Sequence, residues 1–144
     1  PHLNLHILGL NNQERSLLPK ILSKNIHIHG FINVKSVEFI KIMNSSSFCV
    51  LPSCSEAMAT SVLTGMRHGL IPVITRETGV DLHDNGYYFD SLDIHHIKSK
   101  LLTISKTGDI DLENTHKNVF NLANSQYNLN NFNENFNKIM KNII

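Results

Sequence analysis

The sequence predicts an α/β fold: a Rossmann-like, doubly wound parallel sheet with helices on both faces. Three observations carry this. Phe48–Leu51 and Ile71–Ile74 are short and almost wholly apolar, as strands buried on both faces are. Strand-like runs alternate along the chain with stretches of helical spacing, which is the pattern of a parallel sheet. The span Phe48 to Leu82 reads in one piece as strand, loop, helix, strand, loop.

The elements follow in order. Leu3, Leu5 and Ile7 alternate with Asn4 and His6, and Gly9 closes this first strand. Asn11-Asn12 reads as a turn. Gln13 to Ser23 has one apolar helical face at Leu17, Leu18, Ile21 and Leu22, with Pro19 inside it predicting a kink or a late start. Ile26 and Ile28 alternate with His27 and His29 in a second strand. Val34 to Asn44 is a helix with Val37, Ile40 and Met43 or Phe39 facing in. The strand Phe48–Leu51 runs into the loop Pro52-Ser53-Cys54-Ser55-Glu56, then a helix from Glu56 to His68, ended by Gly69. After the strand Ile71–Ile74 comes a long polar loop, Thr75 to Leu82, and a turn at Asp84-Asn85-Gly86. Tyr87–Phe89 is a short strand. Asp93 opens a helix to Ser105 with Ile94, Ile97, Leu101 and Leu102 inward. A helix from Asp111 to Asn124 aligns Leu112, Val119, Phe120 and Ala123. Ser125 caps a last helix whose stripe is Phe132, Phe136, Ile139, Met140 and Ile143, a core or domain-packing surface.

The 144 residues suit one domain, 1–144, large enough for a real core. A formal net charge of +1 gives no reason to expect nucleic acid as the partner. Cys49 and Cys54 are too close to staple a domain, and a reduced, cytosolic protein is expected. No apolar run approaches the ~18 residues of a membrane span, and no signal peptide is expected. Pro1 stands at the head of what is already a strand, so a fragment of a longer chain is expected.

In an open α/β sheet ligands bind at the carboxyl ends of strands. A helix N-terminus there favours an anion such as a phosphate. The loop before the helix at Glu56 is therefore the first candidate site. Glu56 has two readings. Ser53 to Glu56 fits a capping box, or Glu56 meets a ligand. Arg76, in the loop after Ile74, is a bidentate phosphate donor or half of a surface ion pair with Glu77. Ser53, Cys54 and Ser55 lack the glycines of a nucleophile elbow. Cys54 is a small loop residue rather than a reactive thiol. His27 with His29, His95 with His96, and Asp81, His83 and Asp84 lack metal-ligand spacing, so neither a metal nor a resident cofactor is expected.

Three stretches then carry a resemblance. Asn25-Ile26-His27-Ile28-His29-Gly30-Phe31-Ile32 is a strand ending in a Gly-aromatic-aliphatic turn. Phe48 to Glu56 is an apolar strand followed by Pro-Ser and a Glu. Gly69-Leu70-Ile71-Pro72-Val73-Ile74, with Thr78-Gly79 after it, is a Gly-x-Pro-Val-Ile strand and glycine loop. In this order and spacing, across residues 3 to about 105, they resemble the C-terminal domain of GT-B glycosyltransferases of the large retaining family 4 (glycosyltransferase group 1).

The resemblance implies the domain that binds a nucleotide diphosphate sugar, in an enzyme moving that sugar to an acceptor hydroxyl. It implies a hexosyltransferase of the retaining type. Glu56 matches the first Glu of the family's Glu-x7-Glu motif, which meets the donor sugar hydroxyls. Ala57, Met58 and Ala59 match backbone N–H donors to sugar and phosphate. The second Glu, which bonds the ribose, falls at Thr64, where the sequence departs from the family. Phe31 and Ile32 lie where the family lines the base, and Thr78 and Gly79 match its loop near the donor. The family's phosphate-binding Arg and Lys precede the position matching Leu3, and its acceptor domain is absent, so the chain alone is expected to be inactive. Such enzymes build surface glycans on glycan or lipid-linked acceptors, in the cytoplasm or at the inner face of the membrane. The alternative is a non-catalytic nucleotide- or sugar-binding α/β module, a degenerate transferase, which Thr64 favours. A flavodoxin- or receiver-like domain needs an acidic pocket at the strand ends, which the sequence lacks.

Overall fold

A computed structural model describes residues 3–20 and 23–142. The chain forms two compact units, Pro1–Ser45 and Ser46–Ile144.

The first unit holds β1 (Leu5–Ile7), α1 (Asn12–Ser16), β2 (Ile26–Ile28) and α2 (Val37–Asn44). β1 and β2 pair in parallel, with His6 opposite His27. α1 is much shorter than the expected helix Gln13–Ser23. Asn11 is its cap rather than a turn residue, in a capping box with Glu14. The helix stops before Leu17, which is 84% exposed. Leu18 precedes Pro19, and a residue before proline is pushed out of the helical region. Ile21 and Leu22, assigned to its apolar face, lie outside the described residues.

α2 begins at Val37, not Val34. Ser36 caps it, accepting from the Phe39 N–H at 3.2 Å. Its buried face is Phe39, Ile42 and Met43. Val37 and Ile40, expected inside, are 69% and 41% exposed. Two apolar stripes overlap on this helix and share Met43. Spacing alone does not choose between them.

The second unit holds β3 (Phe48–Leu51), α3 (Thr60–Arg67), β4 (Ile71–Ile74), a 3-10 turn (Arg76–Thr78), β5 (Tyr87–Tyr88), α4 (Ile94–Ile104), α5 (Asp109–Gln126) and α6 (Leu129–Lys141). Its sheet runs β3-β4-β5, all parallel. The protein is thus α/β and Rossmann-like, with its parallel strands in two small sheets.

β4 is central, and all four of its residues are buried. A proline in a central strand normally removes a ladder hydrogen bond. Here β5 aligns with β4 only from Val73 onward, so the missing N–H of Pro72 faces the side where no partner strand has begun. Ile74 packs in one cluster with Val62 and Met66 of α3 and with Val119 and Ala123 of α5. Val73 packs instead with Phe89 and with Ile104 of α4. Neighbouring strand residues face opposite ways, so helices cover both faces of β4. β3 lies at the edge of this sheet, and its Val50 is 40% exposed rather than buried.

Gly69 ends α3 as expected, with a φ of 80°. The Leu70 N–H bonds the Gly65 carbonyl at 3.0 Å and the Gly69 N–H bonds that of Met66 at 2.9 Å, a Schellman close. Gly65 lets α3 lie against β3: a Cβ there would stand 3.0 Å from Cys49 Cβ. Burial pushes the Cys49 thiol up to about 12, whereas Cys54 is exposed. Only the thiolate is a competent nucleophile. An aromatic disulfide reagent at about pH 8 is therefore expected to label Cys54 in the native protein and Cys49 only after unfolding. Equal labelling rates would contradict this packing.

Asp93 caps α4, accepting from the His95 and His96 N–H groups at 2.9 and 3.1 Å. Ile97, Leu101 and Ile104 form its inward stripe. Ile94 and Leu102, expected inward, are 74% and 43% exposed; the two-residue β5 offers too little sheet to cover a wider face. Leu112, Val119 and Ala123 of α5 pack inward as expected, but Phe120 is half exposed. Ser125 lies inside α5, and the cap of α6 is Asn128, which accepts from the Asn131 N–H at 2.9 Å. The stripe Phe132, Phe136, Ile139 and Met140 of α6 is exposed, so it is not core. Ile143 lies outside the described residues. No helix among the described residues is long and apolar enough to cross a membrane.

Candidate functional site at the strand ends

The carboxyl ends of β3 and β4 open into two loops, residues 52–59 and 75–79, which are laced together. The Glu56 N–H donates to the Glu77 carbonyl and the Ala59 N–H to the Thr78 carbonyl, both at 2.9 Å. The Thr75 hydroxyl donates to the Ser53 carbonyl. The Thr78 hydroxyl turns back to the Thr75 carbonyl at 2.8 Å. Thr75 and Thr78 are buried, as are Val80 and Leu82, so the span expected to be a polar loop is a hydrogen-bonded wall of the core. Gly79 makes the close approach possible. Its φ is 69°, and a Cβ on it would lie 2.3 Å from the Ala57 carbonyl oxygen. Only glycine meets both demands.

α3 starts at Thr60, later than the expected Glu56. Its cap position is Ala59, which has no side chain to cap with. The capping-box reading of Glu56 is therefore wrong: Glu56 lies in the loop, four residues before the helix begins. Its carboxylate is exposed and accepts from the Ser53 hydroxyl at 3.3 Å. The helix starts late because the loop's amides pair with the neighbouring loop instead of curling into a first turn.

Of the three amides expected to face a ligand, Ala59's is taken by Thr78. The N–H groups of Ala57 and Met58 bond no acceptor among the described residues, and neither do those of Thr60 and Ser61. These four donors sit at the positive end of α3. Thr64 is on α3, with its hydroxyl donating to the Thr60 carbonyl at 2.8 Å. The Arg76 guanidinium lies over the Tyr88 ring, 4.3 Å from its centroid. It is a stacked cation rather than half of an ion pair with Glu77. Phe31 and Ile32 belong to the first unit, just after β2; Phe31 is 91% exposed and Ile32 half-buried.

Two tyrosines that sequence reasoning missed brace the same region. The Tyr88 hydroxyl donates to the Val80 carbonyl and accepts from the Leu82 N–H, both at 3.1 Å. The Tyr127 hydroxyl donates to the Asp81 carbonyl at 2.7 Å and accepts from the Asp81 N–H at 3.0 Å. Burial holds the Tyr127 phenol above its ordinary range. Asp81 and His83 approach to 3.8 Å. Among the described residues no group of three or more His, Cys, Asp or Glu side chains can hold a metal ion.

Two concavities lie away from these loops. One of about 290 Å³ runs along α4, with Asp90, His96 and Lys100 in its lining. Another of about 380 Å³ lies beside α5, with His116 and Lys117. Neither includes a residue of the paired loops.

The fold and this rim of paired loops define a Rossmann-like α/β domain whose strand ends offer the carboxylates of Glu56 and Glu77, unbonded amides and a stacked guanidinium. The family model "Glycosyl transferases group 1" matches residues 1–107, and the chain belongs to that family. Its members transfer a sugar from a donor to an acceptor. No curated protein matches the chain.

Proposed function

We propose that the paired loops are the donor side of a glycosyltransferase and take a nucleotide diphosphate sugar. Glu56 orients the sugar through its hydroxyls. The amides of Ala57 and Met58, with those of Thr60 and Ser61, receive the diphosphate, and Arg76 adds a cation beside it. As the bond to the sugar breaks, negative charge grows on the leaving diphosphate, and oriented amides at a helix end stabilise charge of that kind. The observation that carries this reading is the set of unbonded amides directly after an exposed carboxylate. Ala59 is left out, since its amide is occupied; its part is to hold the loop. Thr78 and Gly79 hold the rim from the other side. The roles of Phe31 and Ile32 at the base, the retaining course, a cytoplasmic or membrane-face location and a glycan acceptor rest on the resemblance alone.

A second reading, a sugar- or nucleotide-binding module without turnover, is favoured by Thr64, whose hydroxyl is held by its own helix. A thermal-shift series with UDP, GDP, ADP and their sugars tests both. Ligand at 100 times its dissociation constant stabilises the fold by about 2.7 kcal/mol. A shift with one nucleotide family is expected. Release of free nucleotide in the presence of acceptor would mark an enzyme and overturn the expectation that the chain alone is inactive. No shift with any of them at millimolar ligand would overturn both readings.

A further inference from the structure

Three imidazoles stand together in the first unit where β1 and β2 pair, His6 on β1, His27 on β2 and His29 just after β2. His6 and His27 are register partners, and their rings stack at 4.9 Å. His6 and His29 stack at 5.3 Å, and His6 Nδ1 lies 3.0 Å from His29 Nε2. That contact is a hydrogen bond only if one nitrogen carries a proton and the other does not. Glu38 of α2 approaches His29 Nδ1 at 3.6 Å from the other side.

We propose that the His6–His29 bond, with His27 stacked on it, is a proton-operated latch that keeps the β1–β2 pair closed near neutral pH and releases it on mild acidification. A neutral pair shares one proton along the bond. One added proton still leaves a donor and an acceptor. A second makes both facing nitrogens donors, and the bond becomes a repulsion. A charged His27 adds to that repulsion at stacking distance. Among the described residues, the groups facing His6 are His27 of β2 and His29 just after it, and the carboxylate facing His29 is Glu38 of α2. Glu38 opposes release, because its carboxylate, 3.6 Å from His29 Nδ1, attracts the positive charge that release places on the cluster.

The linkage has a definite sign. Burial first, then the charges of His27 and His29, hold His6 below its ordinary value of 6.5. The unfolded strand pair therefore binds more protons than the folded one at mildly acid pH. Stability is full above the unfolded value and is lost as pH falls through the folded one. β2 leads through His29 into Gly30, whose carbonyl accepts from the Gly9 N–H at 3.1 Å. Release therefore loosens the turn at Phe31.

Hydrogen exchange on the whole chain tests this. The Leu5 and His29 amides bridge the two strands at 2.8 Å. Their protection factors are expected to fall roughly tenfold between about pH 7.5 and 5.5, the sign that a lowered His6 requires. The β4 amides of Ile71, Val73 and Ile74 serve as reference and are expected to hold. His6→Gln, which cannot take a proton, flattens the response. Glu38→Gln, at an exposed position, steepens it. Constant protection in the wild type, an equal fall in β4, or an unchanged response in His6→Gln would each overturn the latch. If His6→Gln does not fold, the imidazole titrations of the wild type decide: a His6 midpoint at or above the ordinary value overturns it.

Discussion

Gly79→Ala is expected to destabilise the second unit by about 3 kcal/mol. Two costs combine. At a φ of 69° an alanine pays for the left-handed conformation, about 1–2 kcal/mol. Its Cβ would also stand 2.3 Å from the Ala57 carbonyl oxygen, a backbone atom that has no rotamer to change. The loops can separate only by giving up the hydrogen bonds from Glu56 to Glu77 and from Ala59 to Thr78. Gly69→Ala is the matched control. Its φ is 80°, but its Cβ would meet nothing closer than the His116 carbonyl oxygen at 3.6 Å. It keeps the conformational cost without the clash, about 1 kcal/mol. Urea unfolding followed by circular dichroism gives both values from shifts in midpoint at constant slope. Equal losses for the two variants would show that the loops are not held as close as described. The same Gly79 variant is expected to weaken nucleotide binding, because the Ala57 and Met58 amides move with the loop.

The parts of this protein that were legible in its sequence are those decided locally. Ile71–Ile74 is apolar without interruption, and it is the central, fully buried strand. Gly69 ends a helix and Asp93 begins one because their chemistry acts within a few residues. The parts that were not legible are decided by tertiary partners. Nothing near Glu56 says that its amide pairs with Glu77 instead of entering a helical turn. The choice of Phe39 over Ile40 depends on where the sheet lies. The roles of Tyr88 and Tyr127 come from bonds to backbone groups on another segment, 46 residues away for Tyr127. At the site, Glu56 and Gly79 were picked out through the family resemblance, while the physical reason for Gly79, its contact with Ala57, exists only in the folded chain. Thr75, which ties one loop to the other, carried no signal at all: a threonine after a strand is ordinary until its hydroxyl is seen on the Ser53 carbonyl.

Glu56→Gln is expected to separate sugar recognition from diphosphate recognition. The substitution keeps the size of the side chain and one acceptor oxygen but removes the charge. Hydrogen bonds to a charged group contribute about 1.5–3 kcal/mol, so affinity for the nucleotide sugar is expected to fall roughly 10- to 100-fold. Affinity for the nucleoside diphosphate alone is expected to stay the same, since the amides of Ala57 and Met58 are backbone groups. Stability is also expected to hold. The carboxylate is exposed, and its partner, the Ser53 hydroxyl at 3.3 Å, can bond the amide oxygen equally well. Calorimetric titration of the two ligands into each protein reads the contrast directly. If both ligands weaken together, Glu56 acts on the loop and not on the sugar. If neither does, the sugar is held elsewhere, and the match of Glu56 to the family's first Glu carries no chemistry here. The contrast also bears on Thr64. With its hydroxyl held by Thr60, it is expected to contribute little to either ligand, and on the proposed reading the sugar is distinguished at Glu56.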